Sequence, residues 1–147
     1  MTLERVQARL YAACLRAGRD PAEVTLVAVT KGQTPETITR ELLARGQRVL
    51  GENRVQEWRT KAEALPGAEW HFIGNLQRNK VKYCLPFALI HSLASERLAD
   101  ELERVGAQHA HVFRVLLEVN VARESSKAGV LPEDAPRLAE YARSLPH

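Results

Sequence analysis

The chain has 147 residues, 45% of them hydrophobic and 27% charged, a composition that excludes a disordered segment and is long enough for one globular domain with a real core. Its net charge of +3 is a small excess in which only Arg78, Lys80 and Lys82 cluster, and 5% aromatic residues leave little material for base stacking, so nucleic acid is not an expected partner. No apolar run approaches the ~20 residues that cross a bilayer and no signal peptide opens the chain, so no membrane is expected and a cytoplasmic location is the default.

Leu3, Val6, Leu10, Ala13 and Ala17 recur every three or four residues up to Gly18, which predicts an amphipathic leading helix. From Val24 short apolar runs alternate with helical ones, the form of repeated βα units. Val24 to Thr30 reads as the first strand. Thr34 caps the next helix, with Pro35 in its first turn, Ile38 and Leu42 on its buried face and Gly46 just past its end. The second strand is expected around Arg48 to Gly51, and its helix carries Val55, Trp58, Ala62 and Leu65 before the Pro66-Gly67 break. A third strand over Glu69 to Ile73 leads through a polar loop, Gly74 to Lys80, and a short helix to a fourth strand, Phe87 to His91. Ser95 caps the fourth helix, Leu98, Leu102 and Val105 line its buried face, and Gly106 is read as its end. Val112 to Val119 is the fifth strand, and Leu138, Tyr141 and Leu145 mark a closing helix.

No glycine- or proline-rich linker interrupts these five units, so one domain over residues 1–147 is expected, with parallel strands and right-handed crossovers. A doubly wound sheet and an incomplete barrel fit the pattern equally well. The first strand is not followed by Gly-x-Gly-x-x-Gly, which removes the main sign of a dinucleotide site. Cys14 and Cys84, far apart and outside any Cys-x-x-Cys spacing, read as reduced cysteines packed on helices. His91, His109 and His111 lack the paired helical spacing of a metal site, and no metal is expected.

Candidate chemistry begins at Lys31. It ends the apolar run Thr25-Leu-Val-Ala-Val-Thr30 and so stands at a strand's carboxyl end, where open α/β and barrel folds place their ligand chemistry. Burial there would strip the ammonium of hydration and favour the nucleophilic amine, able to form an imine with an aldehyde such as pyridoxal phosphate. Asn53, Gly74 and Asn120 follow or end the later strands at the same level. Each also has a local reading: Asn53 as a helix cap, Gly74 as a turn residue, Asn120 as the start of a loop. His71 lies within a strand and either makes a core hydrogen bond or faces a ligand.

Four segments in order, Leu26-Val-Ala-Val-Thr-Lys31, Gly51-Glu-Asn53-x-x-Gln-Glu57, Trp70-His-Phe-Ile-Gly-Asn-Leu-Gln-Arg-Asn-Lys80 and Asn120-x-x-x-Glu-Ser-Ser-Lys-Ala-Gly129, resemble the pyridoxal phosphate homeostasis protein family, relatives of the alanine racemase barrel. The resemblance covers nearly the whole chain. It implies a (β/α)8 barrel of the TIM type, as in the alanine racemase N-terminal domain, with an extra amino-terminal helix. It implies pyridoxal 5'-phosphate as cofactor, an imine on Lys31, and Asn53, His71, Gly74 and Asn120 as further cofactor-binding residues. The family often has serine before this lysine and a second lysine two positions after it, where this chain has Thr30 and Gln33; the latter change removes a positive charge near the cofactor. A (β/α)8 barrel takes ~250 residues, so about five βα units are expected here, an α/β partial barrel incomplete at the carboxyl-terminal end, with self-association through its open edges.

The function expected is intracellular pyridoxal phosphate homeostasis: a carrier, not an enzyme, with no catalytic residue assigned and cofactor-dependent apo-enzymes as recipients. The alternative is a racemase-like enzyme acting on small amino acids. A third is an anion- or nucleic-acid-binding module built on Arg78, Lys80 and Lys82. The polar segment Asn120 to Gly129 is read as a lid, with Glu124 and Lys127 able to pair.

Overall fold

Strands and helices alternate along residues 2–147, which the computed structural model describes. They are α1 (Leu3–Arg16), β1 (Ala28–Val29), α2 (Pro35–Glu41), β2 (Val49–Glu52), α3 (Val55–Ala62), β3 (Glu69–Phe72), β4 (Leu89–Leu93), α4 (Glu96–His109), β5 (Val115–Leu117) and α5 (Ala135–Ser144), with a 3₁₀ helix over Arg78–Tyr83. Hydroxyl caps start three of the helices. Thr2 Oγ1 accepts the Arg5 N–H at 3.4 Å, Thr34 Oγ1 the Thr37 N–H at 3.2 Å, and Ser95 Oγ the Leu98 N–H at 3.2 Å, each satisfying an amide that the first turn leaves without a carbonyl. Gly46 closes the 3₁₀ turn after α2 in the left-handed conformation, φ 82°, which a side chain would strain.

The strands form one parallel sheet in the order β1-β2-β3-β4-β5. This order separates the two architectures left open by the sequence. In a doubly wound sheet the order reverses once and helices cover both faces. Here every strand is added on the same side of its predecessor, so right-handed crossovers put the helices on one face, as in a (β/α) barrel.

Strand alternation sorts the residues accordingly. Leu50, Trp70, Phe72 and Ile90 pack with Ile38, Val55, Trp58, Leu98, Leu102 and Val105 into the core between sheet and helices. Phe87 meets Trp58 at 4.7 Å between ring centroids and Phe72 edge-on at 5.4 Å. The opposite, inner face carries Val29, Gly51 and His71 in one row. It is open at its edges, where Val29 is 53% and Leu116 46% exposed.

Several elements depart from expectation. The first strand pairs over two residues only. At this edge of the sheet Gln47 substitutes for the ladder, its Nε2 donating to Leu26 O at 2.7 Å and to Val49 O at 2.8 Å. Gly106 does not end α4, which runs on to His109 and stops at Ala110 with φ 49°. A Cβ on Gly106 would fall 2.6 Å from His111 O and from the His147 Cβ, so close approach of the chain end is what this glycine serves. Of α1, only Cys14 is buried; the predicted apolar face is half-buried or exposed. Both cysteines are free and buried; Cys84 follows the 3₁₀ helix, and burial pushes its thiol up to about 12. Among the described residues no helix is long and apolar enough to cross a membrane, and no group of His, Cys, Asp and Glu is placed to hold a metal.

Candidate functional site

Thr30 is buried and lies on the helix-facing side of the sheet, so the next residue, Lys31, turns to the inner face at the carboxyl end of β1. Gly32, at φ +73°, then turns the chain away, and the Gln33 N–H returns to Thr30 O at 3.0 Å. Lys31 is exposed, so the dehydration expected of a strand-end lysine is absent. Among the described residues no carboxylate pairs with it; the lysine that pairs in this region is Lys61.

Asn53 follows Gly51 by two residues, as Lys31 follows Val29, and Val29 and Gly51 are register partners. The two side chains therefore leave neighbouring strands at the same level and on the same face. Asn53 does not cap α3: the cap position is Arg54, which makes no side-chain capping bond, and among the described residues the Asn53 amide has no hydrogen-bond partner. Asn53 and Gly74 line a cleft of about 470 Å³ shared with Arg54, Asn75, Gln77 and Lys80. A Cβ on Gly74 would overlap the Asn53 carbonyl oxygen and lie 2.8 Å from its Cα. Gly74 has no positive φ, so its role is close backbone approach rather than the turn expected of it. From the basic cluster, Lys80 reaches both this cleft and the ring of Tyr83, which Lys82 and Arg59 also face at 5.1 and 5.4 Å.

His71 and Asn120 lie apart from that cleft. His71 is buried, Nδ1 2.9 Å from His91 Nε2 and Nε2 3.3 Å from Glu69 Oε1, so both ring nitrogens are already engaged. Burial, and secondarily the His71 charge, hold His91 below the usual histidine range. Asn120 is committed to its own loop: Nδ2 donates to Glu124 O at 2.8 Å and Oδ1 accepts the Glu124 N–H at 3.2 Å. Glu124 and Lys127 make a backbone bond, not an ion pair; the loop's salt bridge joins Arg123 to Glu133 at 2.9 Å.

Sequence reasoning missed the group directly beneath Lys31. Lys61 of α3 and Glu52 of β2 are buried, their side chains 5% and 0% exposed. Lys61 Nζ donates to Glu52 Oε1 at 2.6 Å, Glu57 Oε1 at 2.8 Å and the Thr30 carbonyl at 2.8 Å, using all three hydrogens of an ammonium. Glu52 Oε1 also accepts from Thr30 Oγ1 at 2.6 Å, and Glu57 Oε1 accepts the Gly32 N–H at 2.5 Å. Burial disfavours the Lys61 charge, but its bonds to Glu52 and Glu57 outweigh this and raise its pKa. Glu57 is held below the usual carboxylate range by Lys61 and then by the Gly32 amide. Two signals for this group were present: an acidic residue at a helix-facing strand position, and a Glu-Lys pair four apart on the following helix.

Parallel strands added in sequence, with an amine and an amide at their carboxyl ends, define a protein of the (β/α)-barrel type. Residues 3–147 match the family model of the alanine racemase N-terminal domain. The chain is 47% identical over 148 residues to the pyridoxal phosphate homeostasis protein of Aquifex aeolicus, covering 99% of this chain and 64% of that protein. It is 42% identical over 144 residues to the protein of the same name from Deinococcus radiodurans, covering 98% and 68%. Among solved structures, PipY of Synechococcus elongatus with PLP bound superposes with a TM-score of 0.68 at 32% identity, covering 92% of this chain and 65% of PipY. The chain belongs to the alanine racemase N-terminal domain family and, within it, to the pyridoxal phosphate homeostasis proteins. It spans about two thirds of the length of these relatives.

Proposed function

We propose that residues 1–147 act as one pyridoxal-phosphate-binding unit that holds the cofactor on Lys31 and serves its intracellular homeostasis, handing it to cofactor-dependent apo-enzymes. The observation that carries this reading is the contrast between two lysines. Lys61 is buried and spends every ammonium hydrogen on Glu52, Glu57 and Thr30. Lys31 is exposed at the strand end, beside the Asn53 amide, unpartnered among the described residues. An aldehyde reaching this strand end meets an amine that no carboxylate among the described residues holds. Lys31 would hold such an aldehyde as an imine, its amine supplying the nitrogen of the C=N bond with loss of water.

The residues present suit such a ligand. Lys31 does not itself line the cleft, but Asn53, its neighbour across the register, does, together with Gln77 and Lys80, and these offer a cation and hydrogen-bond donors to an anionic, polar molecule. Pyridoxal phosphate, when bound, supplies an electron sink. Turnover of an amino acid would also need a positioned group to move the α-proton, and the carboxylates beneath Lys31 are each engaged through Oε1, Glu52 with Thr30 and Lys61 and Glu57 with Gly32 and Lys61. This favours a carrier over a racemase.

Borohydride trapping of the purified chain with limiting pyridoxal phosphate, followed by peptide mass spectrometry and a Lys31→Ala control, tests the assignment. Label concentrated on Lys31 is expected; label spread evenly over surface lysines would refute it. Loss of α-deuterium from alanine that depends on Lys31 would overturn the carrier role in favour of an enzyme.

A further inference from the structure

The two peptide groups flanking the Lys31 Cα are both held by side chains from α3. The carbonyl of Thr30, on one side, accepts from Lys61 Nζ at 2.8 Å, and the N–H of Gly32, on the other, donates to Glu57 Oε1 at 2.5 Å. Lys61 and Glu57 are in turn joined to each other at 2.8 Å across one helical turn. Thr30 is anchored a second time through its hydroxyl to Glu52 and through its N–H to Gly51 O at 3.0 Å. With both flanking peptide planes fixed, φ and ψ of Lys31 are fixed, and so is the direction in which its side chain leaves the backbone.

Stability alone gives a poor account of such a group. Buried ion pairs return little net stability compared with apolar side chains of similar volume. Glu52 Oε2 adds to the cost, since it is buried with no hydrogen-bond partner among the described residues. What an apolar replacement would not supply is a second donor for Thr30 O, beside the Gln33 N–H, and an acceptor for Gly32 N–H at the two positions that bracket Lys31.

We infer that Glu57 and Lys61 are positioning residues for Lys31: they clamp the backbone on either side of it and so aim its amine from the strand end, an assignment that rests on Lys31 being the residue that takes the aldehyde. Both act on the Lys31 backbone. Glu57 is the better probe, because its side chain is 28% exposed and its removal leaves Lys61 with Glu52 and Thr30 as partners.

Two readouts separate positioning from simple support. The first needs no ligand: amide hydrogen exchange at Gly32, measured by NMR, is expected to be slow in the wild type, fast in Glu57→Ala and slow again in Glu57→Gln, whose amide oxygen still accepts. The second is the rate of borohydride-trapped labelling of Lys31 with limiting pyridoxal phosphate. Glu57→Ala is expected to slow it by about tenfold or more, toward the roughly hundredfold that misplacing a reacting group by ~1 Å can cost. Glu57→Gln should recover most of the rate. Lys61→Met combined with Glu52→Gln, which leaves the Thr30 carbonyl with the Gln33 N–H alone and strands no buried charge, should slow labelling in the same way. If Glu57→Ala labels Lys31 at the wild-type rate while Lys31→Ala abolishes the label, the positioning role is wrong and the Lys31 assignment stands. If the wild type itself shows no preference for Lys31, the assignment fails and the positioning role falls with it.

Discussion

Replacing Lys61 by methionine keeps a straight apolar stem of similar length and removes only the charged head. The structure sets the size of the effect. Three charge-assisted hydrogen bonds disappear, to Glu52, Glu57 and the Thr30 carbonyl, a gross loss of about 5 to 9 kcal/mol at roughly 1.5 to 3 each. Part of this returns, because the ammonium no longer has to be dehydrated, a penalty of several kcal/mol for a buried ion. The Thr30 carbonyl keeps the Gln33 N–H and is not orphaned. Glu52 fares worse: wholly buried, it keeps only the Thr30 hydroxyl on one oxygen and has no partner on the other. The net expectation is a destabilisation of about 3 to 5 kcal/mol at neutral pH, the range for breaking a buried pair from one side. Urea unfolding should show it as a lower midpoint with an unchanged slope. The double variant Lys61→Met/Glu52→Gln, with no charge left unpaired in the core, should recover a large part of the loss. A single-variant loss below about 1 kcal/mol, the value of an exposed ion pair, would refute the claim that this group is buried and interdependent.

Gly74→Ala should cost about 1 to 3 kcal/mol of stability, since the added methyl overlaps the Asn53 backbone; thermal unfolding at the wild-type temperature would refute a role in close backbone approach. Lys31→Ala, at an exposed position, should shift stability by no more than about 0.5 kcal/mol while abolishing the trapped label, so a large fall in its unfolding midpoint would mean that Lys31 supports the fold. His91 is held below its ordinary value of 6.5, first by burial and then by His71. The unfolded chain therefore binds that proton at a higher pH than the folded one. Above 6.5 both states are neutral and the contribution is level; as pH falls below 6.5 stability declines toward the folded pKa. Urea midpoints across this window should fall less steeply in His91→Gln, and parallel slopes would remove His91 as the cause.

Much of the chain was legible because the signals are local. The caps at Thr34 and Ser95 and the spacing of Leu98, Leu102 and Val105 in α4 depend on hydrogen bonds and side-chain neighbours within a few residues. Lys31 was legible as well, since an apolar run that ends in lysine locates a strand end wherever the strand goes. Less legible were features that depend on distant residues. Gly106 looks like a helix stop, yet its small size serves the approach of His111 and His147. Asn53 looks like a cap, but α3 begins one residue later, with no side-chain cap. Lys61, between Thr60 and Ala62, reads as a solvated lysine until Glu52 and the Thr30 carbonyl are seen to meet it.

The sequence by itself determined the alternation of strands and helices, and with it the parallel sheet, because a strand followed by a helix of this length can return only by a right-handed crossover. It also determined that a lysine stands at the end of the first strand. Only the tertiary structure decided on which side each new strand was added, since both sides satisfy the same crossover rule, and that choice leaves the inner face and its lysine free of covering helices. The tertiary structure also decided which charged residues share the space beneath Lys31. Strand β2 and helix α3 bring Glu52, Glu57 and Lys61 together under the end of β1. An interaction between residues 22 to 31 positions apart leaves no periodic trace in the chain.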